Sequence, residues 1–170
     1  MEGEIVNKVA NSALKTFDLE ELYTPGDRVV LDIKDQLYQG LVLREKEFRD
    51  FIKSHDWSAY KGKHVSIQCS ADAIVPTWAY MLLSSALQPF VTTVIFGSSE
   101  QLETTLFTKK LDTVDWSAYK DAKVVIKGCS KVEVPVAVYV EATNRLRGQA
   151  SSIMFGEPCS TVPIFKKGRS

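Results

Sequence analysis

A chain of 170 residues, 45% of them hydrophobic, is long enough for one ordinary domain, which buries roughly 70% of the surface its unfolded form exposes. Its 21 basic residues balance its 21 acidic ones, which leaves no global field to draw in nucleic acid or an anionic membrane. The longest apolar runs fall far short of the roughly 18 residues of a membrane span, and the acidic start Met1-Glu2-Gly3-Glu4 is unlike a basic secretory leader, so the expected compartment is the cytoplasm.

In chain order, Ile5, Val6, Val9, Ala10, Ala13, Leu14 and Phe17 recur at helical spacing and predict an amphipathic helix. Asp18 to Tyr23 adds a turn of helix before the turn signal Pro25-Gly26-Asp27, and Arg28 to Ile33 reads as a β-branched strand. A second helix is expected over Leu41 to His55. Further strands are predicted at His64 to Gln68, Val91 to Phe96, Lys123 to Lys127 and Ser151 to Phe155. Between them come helices over Thr77 to Leu87, from about Ser99 to Lys110, and over Val136 to Leu146, with Ser98 or Ser99 capping the middle one. The closing Lys166-Lys167-Gly168-Arg169 reads as solvated.

The strongest pattern is an internal duplication. Asp56 to Pro76, DWSAYKGKHVSIQCSADAIVP, returns as Asp115 to Pro135, DWSAYKDAKVVIKGCSKVEVP, and the repeated units extend over 56–87 and 115–146. Pro76 and Pro135 mark helix starts, since a proline loses nothing at the first helical position. Asp56 and Asp115, each followed by serine two residues on, read as turn caps rather than catalytic carboxylates. Trp57, Tyr60, Trp116 and Tyr119 come with no basic patch, so they read as core plugs rather than platforms for stacked bases. His64 reads as a partnered structural histidine, and Lys61 and Lys120 as solvated.

Strands alternating with helices predict a single α/β domain over residues 1–170, with one mostly parallel sheet of about five strands and flanking helices. In such sheets ligands bind where strands run out into helices, at the carboxyl edge. The chain has three cysteines, Cys69, Cys129 and Cys159, and each heads a Cys-Ser followed by Val-Pro. On this reading all three leave the carboxyl ends of strands and share one edge.

Three thiolates in one setting point first to a metal. Sulfur ligands suit zinc or the iron of an iron–sulfur cluster, and three of them leave a fourth position open. Cys69, Cys129 and Cys159 are therefore the candidate ligands, with Asp72 and Glu157 the acidic residues nearest in sequence for a fourth. The spacing lacks the close Cys-x-x-Cys of structural zinc sites, so the signal rests on the repeated context. Two other readings stay open. One is metal-free thiol or sulfur-carrier chemistry, helped by a helix N-terminus that lowers a thiol pKa. Against it, His55 precedes the repeated turn and His64 begins a strand, toward the opposite edge, so neither is placed as a base with the cysteines. The other is an interaction module whose cysteines only pack, cysteine being among the most buried residue types. No phosphate-binding glycine loop, zinc-protease helix or serine-hydrolase elbow is present.

The segments Glu-Ile-Val-Asn-Lys-Val-Ala at the start, Cys-Ser-Ala-Asp-Ala-Ile-Val-Pro-Thr-Trp-Ala-Tyr-Met-Leu at 69–82 and Gly-Glu-Pro-Cys-Ser-Thr-Val-Pro-Ile-Phe-Lys-Lys at 156–167 carry a resemblance. Together they resemble a small bacterial, Bacteroidetes-type family of unknown function. The resemblance implies a bacterial cytoplasmic setting and a link to iron–sulfur or sulfur metabolism, and assigns no catalytic role to any residue.

Overall fold

A computed structural model describes residues 14–128, 131–157 and 159–168. The chain forms two compact units, one Pro25–Thr105 and the other made of Met1–Thr24 with Leu106–Ser170. We call them the inserted unit and the outer unit.

In the inserted unit, β2 (Arg28–Asp32), β3 (His64–Gln68) and β4 (Thr93–Phe96) form a three-stranded parallel sheet in that order. Helices α1 (Glu45–Ser54) and α2 (Thr77–Leu87) accompany it. Phe48 of α1 and Ala79, Leu83 and Leu87 of α2 share one buried cluster with Val65 and Ile67 of β3. The three α2 residues recur every fourth position, which puts them on one stripe of the helix. Val65 and Ile67 alternate with Ser66, so the helix-covered side of the sheet is the one they face.

The outer unit repeats that plan with different partners. Strands β1 (Leu14–Phe17), β5 (Lys123–Ile126) and β6 (Ser152–Glu157) run parallel, and β7 (Ser160–Lys166) closes the sheet antiparallel to β6. Helix α3 (Ser99–Leu111) crosses from one unit to the other, and α4 (Val136–Arg147) follows β5. Phe107 and Leu111 of α3, Val124 and Ile126 of β5, and Val138, Ala142 and Leu146 of α4 are buried together.

Several expectations change. The strands do not form one sheet of about five but two sheets of four and three, because β5 pairs with β1 and β6, leaving β4 as an edge. Residues 14–17, read as the end of the first helix, are strand β1; the rest of that helix lies outside the described residues. The C-terminal segment contains the additional strand β7. Pro163, in the third Val-Pro, sits inside this edge strand beside a register irregularity at Ile153/Met154, where a missing N–H is tolerated.

The local signals correspond closely to what forms. The Asp56 and Asp115 side chains each accept the backbone N–H two residues on, at 3.1 Å, and start 3-10 turns at Trp57–Tyr60 and Trp116–Tyr119. Each tryptophan then plugs its unit: Trp57 Nε1 donates to the Ile52 carbonyl at 2.7 Å, and Trp116 Nε1 to that of Leu111 at 3.2 Å. His64 is buried, its Nε2 2.9 Å from the Pro25 carbonyl oxygen. Ser98 caps α3 by accepting the Gln101 N–H, while Gln101 Oε1 accepts that of Ser98. Asp56→Ala and Asp115→Ala are each expected to lower stability by about 1 kcal/mol, read from urea unfolding.

Candidate functional site

Each parallel sheet has a carboxyl edge, and the same kinds of element build both. In the inserted unit, Asp32 ends β2, Cys69-Ser70 follows β3, and Tyr80 lies in the first turn of α2. Asp32 Oδ1 accepts the N–H of Ser70 at 3.1 Å and that of Lys34 at 3.0 Å, tying the cysteine loop to the neighbouring strand. Burial raises the Asp32 pKa, but the Ser70 hydroxyl, these two amides and the Lys34 charge outweigh it and hold the carboxyl below its usual range. Tyr80 is pushed up, first by burial and then by the nearby Cys69 and Asp32.

Cys69 is half-buried, and it packs against the core cluster with its sulfur 3.8 Å from the Ala71 carbonyl oxygen. That is the environment of a small apolar side chain with a weak donor. The Asp32 linkage gives a pH prediction. Because the folded pKa is depressed, the stabilisation is full above the unfolded value of about 3.9 and is lost as pH falls through the folded value. Asp32→Asn should therefore be less stable than the native protein near neutrality, and urea titrations should show the gap closing in acid.

The outer unit's edge is charged. Asp18, just after β1, accepts Lys127 Nζ at 2.9 Å. The Asp18 hydrogen bond and charge raise the Lys127 pKa against an opposing desolvation, and Glu20 and Glu157 add lesser contributions in the same direction as Asp18. Glu157 ends β6, and its Oε1 is buried with no hydrogen-bond partner among the described residues. Gly128 and Gly156 bring the ends of β5 and β6 together: a Cβ on Gly128 would stand 3.1 Å from the Gly156 Cα. Cys159 is exposed in the turn between β6 and β7.

The cysteines therefore do not leave one sheet. Cys69 follows a strand of the inserted unit and Cys159 one of the outer unit, because the two repeats feed different sheets. Cys129 lies outside the described residues, and among those described no three His, Cys, Asp or Glu side chains are grouped to hold a metal. Of the suggested fourth ligands, Glu157 has a buried oxygen without a hydrogen-bond partner among the described residues; Asp72 stays in the inserted unit with Cys69. Asp18, Asp32, Tyr80 and Lys127 were missed, since nothing local marks them until the strand order brings them to an edge.

Beside α2 and α4 each unit also has an apolar groove. One, of about 390 Å³, is lined by Ile67, Tyr80, Met81, Ser84 and Phe96 among others. The other, of about 450 Å³, is lined by Ile126, Tyr139, Val140, Thr143, Phe155 and Ile164 among others. At the offset of the sequence repeat, the first five of these correspond one to one with the five named for the inserted unit. In both grooves a tyrosine meets a phenylalanine edge-on, with centroids 4.8 Å apart for Tyr80–Phe96 and 5.6 Å for Tyr139–Phe155. No helix among the described residues is long and apolar enough to cross a membrane.

No curated protein and no solved structure was found to match the chain. A family described as "Protein of unknown function (DUF2480)" matches residues 3–167, nearly the whole length, and the chain belongs to that family.

Proposed function

We propose that the protein binds zinc or an iron–sulfur cluster through thiolates at the carboxyl edge of its outer unit, with Cys159 and Cys129 as sulfur ligands. Glu157 supplies an oxygen. The observation that carries this reading is the buried Glu157 Oε1, two residues before Cys159, which has no hydrogen-bond partner among the described residues. A buried carboxylate oxygen without a donor is costly unless a proton or cation satisfies it, and a soft-to-borderline metal suits a mixed sulfur and oxygen set. The close approach of Gly128 and Gly156 supports it, since the chain leaves β5 and β6 side by side on the way to positions 129 and 159. Bound there, the metal would offer an open position to a substrate or a transferred ligand, which accords with a role in iron–sulfur or sulfur metabolism. Of the three candidate cysteines, Cys69 is the exception in this reading, its sulfur serving to pack the inserted unit's core.

Protein purified under anaerobic, iron-replete conditions should carry zinc or iron in stoichiometric amount by elemental analysis. Cys159→Ser and Cys129→Ser should each lose most of it, Glu157→Gln should retain it more weakly, and Cys69→Ser should keep it. Metal contents no higher than in a variant lacking all three cysteines would refute the site. That outcome would favour the second reading, a metal-free interaction module with structural cysteines. The specific observation behind it is the pair of matched apolar grooves, which we attribute to duplication of one strand–Cys–helix unit.

A further inference from the structure

We propose that the outer edge of β4 is a self-association site, where β4 of a second copy of this chain adds antiparallel to make a continuous six-stranded sheet. Among the described residues four strands sit at sheet edges: β1 and β7 in one sheet, β2 and β4 in the other. An open edge invites pairing with another chain, and proteins guard such edges with charge or proline. Strand β1 carries Lys15, β2 carries Arg28 and Asp32, and β7 carries Pro163 and Lys166. Strand β4 reads Thr-Val-Ile-Phe and has no such guard. The bareness extends well beyond the strand. From Ala73 to Ser99, through all of α2 and β4, the chain has no Asp, Glu, Lys or Arg, whereas α4 in the corresponding place carries Glu141, Arg145 and Arg147.

The outer unit shows what such an edge accepts. There β6, which like β4 follows a proline-started helix, is covered by antiparallel β7, and Ile164 of that strand lines the groove beside α4. The groove beside α2 has no such strand among the described residues. Phe96 and Met81, which line it, are each 66% exposed. Antiparallel pairing of β4 with its own copy uses a twofold axis perpendicular to the sheet, which puts both α2 helices on the same side. Phe96 of each copy then reaches the other's groove, in the place Ile164 takes in the outer unit.

A second copy is the occupant because the surface is neutral and self-complementary. With no charge on strand or helix, a twofold brings no like charges together, and depletion of charge at the centre with a predominantly apolar surface is the composition of homodimer interfaces. A partner strand selected by charge would find nothing here to read.

Sedimentation of the full chain from about 1 to 100 μM should show a dimer that dissociates on dilution. Phe96→Lys and Met81→Lys each place paired positive charges at the axis and should raise the dissociation constant at least about tenfold, with circular dichroism unchanged. Ile164→Lys, on the outer unit's groove, should leave the dimer intact. Hydrogen exchange at Thr93–Phe96 should be slower in the native protein than in Phe96→Lys. A native protein that is monomeric throughout this range overturns the proposal and leaves the edge to a strand from another protein. A dimer that survives both lysine variants, or that is lost with Ile164→Lys alone, overturns it equally.

Discussion

Phe107→Ala should cost about 3–5 kcal/mol, the largest loss expected from any single truncation in the outer unit. Phe107 is 1% exposed and packs in the cluster that also holds Leu111, Val124, Val138, Ala142 and Leu146. Removing the ring forfeits its transfer free energy and leaves a cavity bounded by a helix and a sheet, neither of which can collapse far. Since a domain of this class is stable by only about 5–15 kcal/mol, the variant should sit close to its unfolding transition at physiological temperature. Urea unfolding followed by Trp116 fluorescence is the measurement, because Trp116 packs against the same cluster. Phe48→Ala tests the inserted unit in the same way, reported by Trp57 and Trp78, which share its cluster. A loss below about 1 kcal/mol at Phe107 would mean that the ring is not sealed in the core.

Gly156→Ala should be nearly as damaging, and for a backbone reason. Gly156 has φ +124°, a conformation that residues with a Cβ rarely adopt, and an added Cβ would stand 2.6 Å from the Ser160 carbonyl oxygen. Strain of that kind costs of order 1–3 kcal/mol, and the clash with fixed backbone adds a similar amount unless the hairpin opens. Gly97 provides the comparison: at φ +143° its Cβ would meet a side chain rather than backbone, that of Gln101, from its amide end to its Cβ at 3.2 Å. Gly97→Ala should therefore cost less, through strain and through displacement of the Gln101 that caps Ser98. Hydrogen exchange should show β7 losing protection in Gly156→Ala while β3 keeps its own. If the metal site proposed above exists, this variant should also lose metal, because the β6–β7 turn carries Cys159.

Features set by neighbours in sequence were legible before the structure. The Asp56 and Asp115 caps, the Pro76 and Pro135 helix starts, the Ser98 cap and the tryptophan plugs each depend on contacts within about five residues, and local chemistry determines them. Strand pairing does not have that property. Nothing near Lys123 states that β5 will lie against Leu14 rather than against Thr93, so two sheets were read as one. Leu14 and Phe17, three residues apart, satisfy helical spacing, yet four residues are too few to separate that period from a strand whose last residue is buried. The candidate site suffered from the same blindness. Cysteine 69 was recognisable at the end of a strand, but its partners Asp32 and Tyr80, and the Asp18–Lys127 pair on the other edge, become neighbours only through pairing and crossover.

The pairing of β1 with β5 also bears on how the chain can be made. Synthesis releases β1 first, yet the strand that hydrogen-bonds to it leaves the ribosome only after the whole of Pro25–Thr105 and the rest of α3. The inserted unit, whose three strands, two helices and core cluster all come from one continuous stretch, can complete itself during that interval. The outer unit cannot. Its first strand waits, unpaired, for a loop closure spanning most of the polypeptide, a step whose entropic cost precedes any reward. Born first and paired late, β1 makes the second half of translation the slow and exposed part of this protein's life.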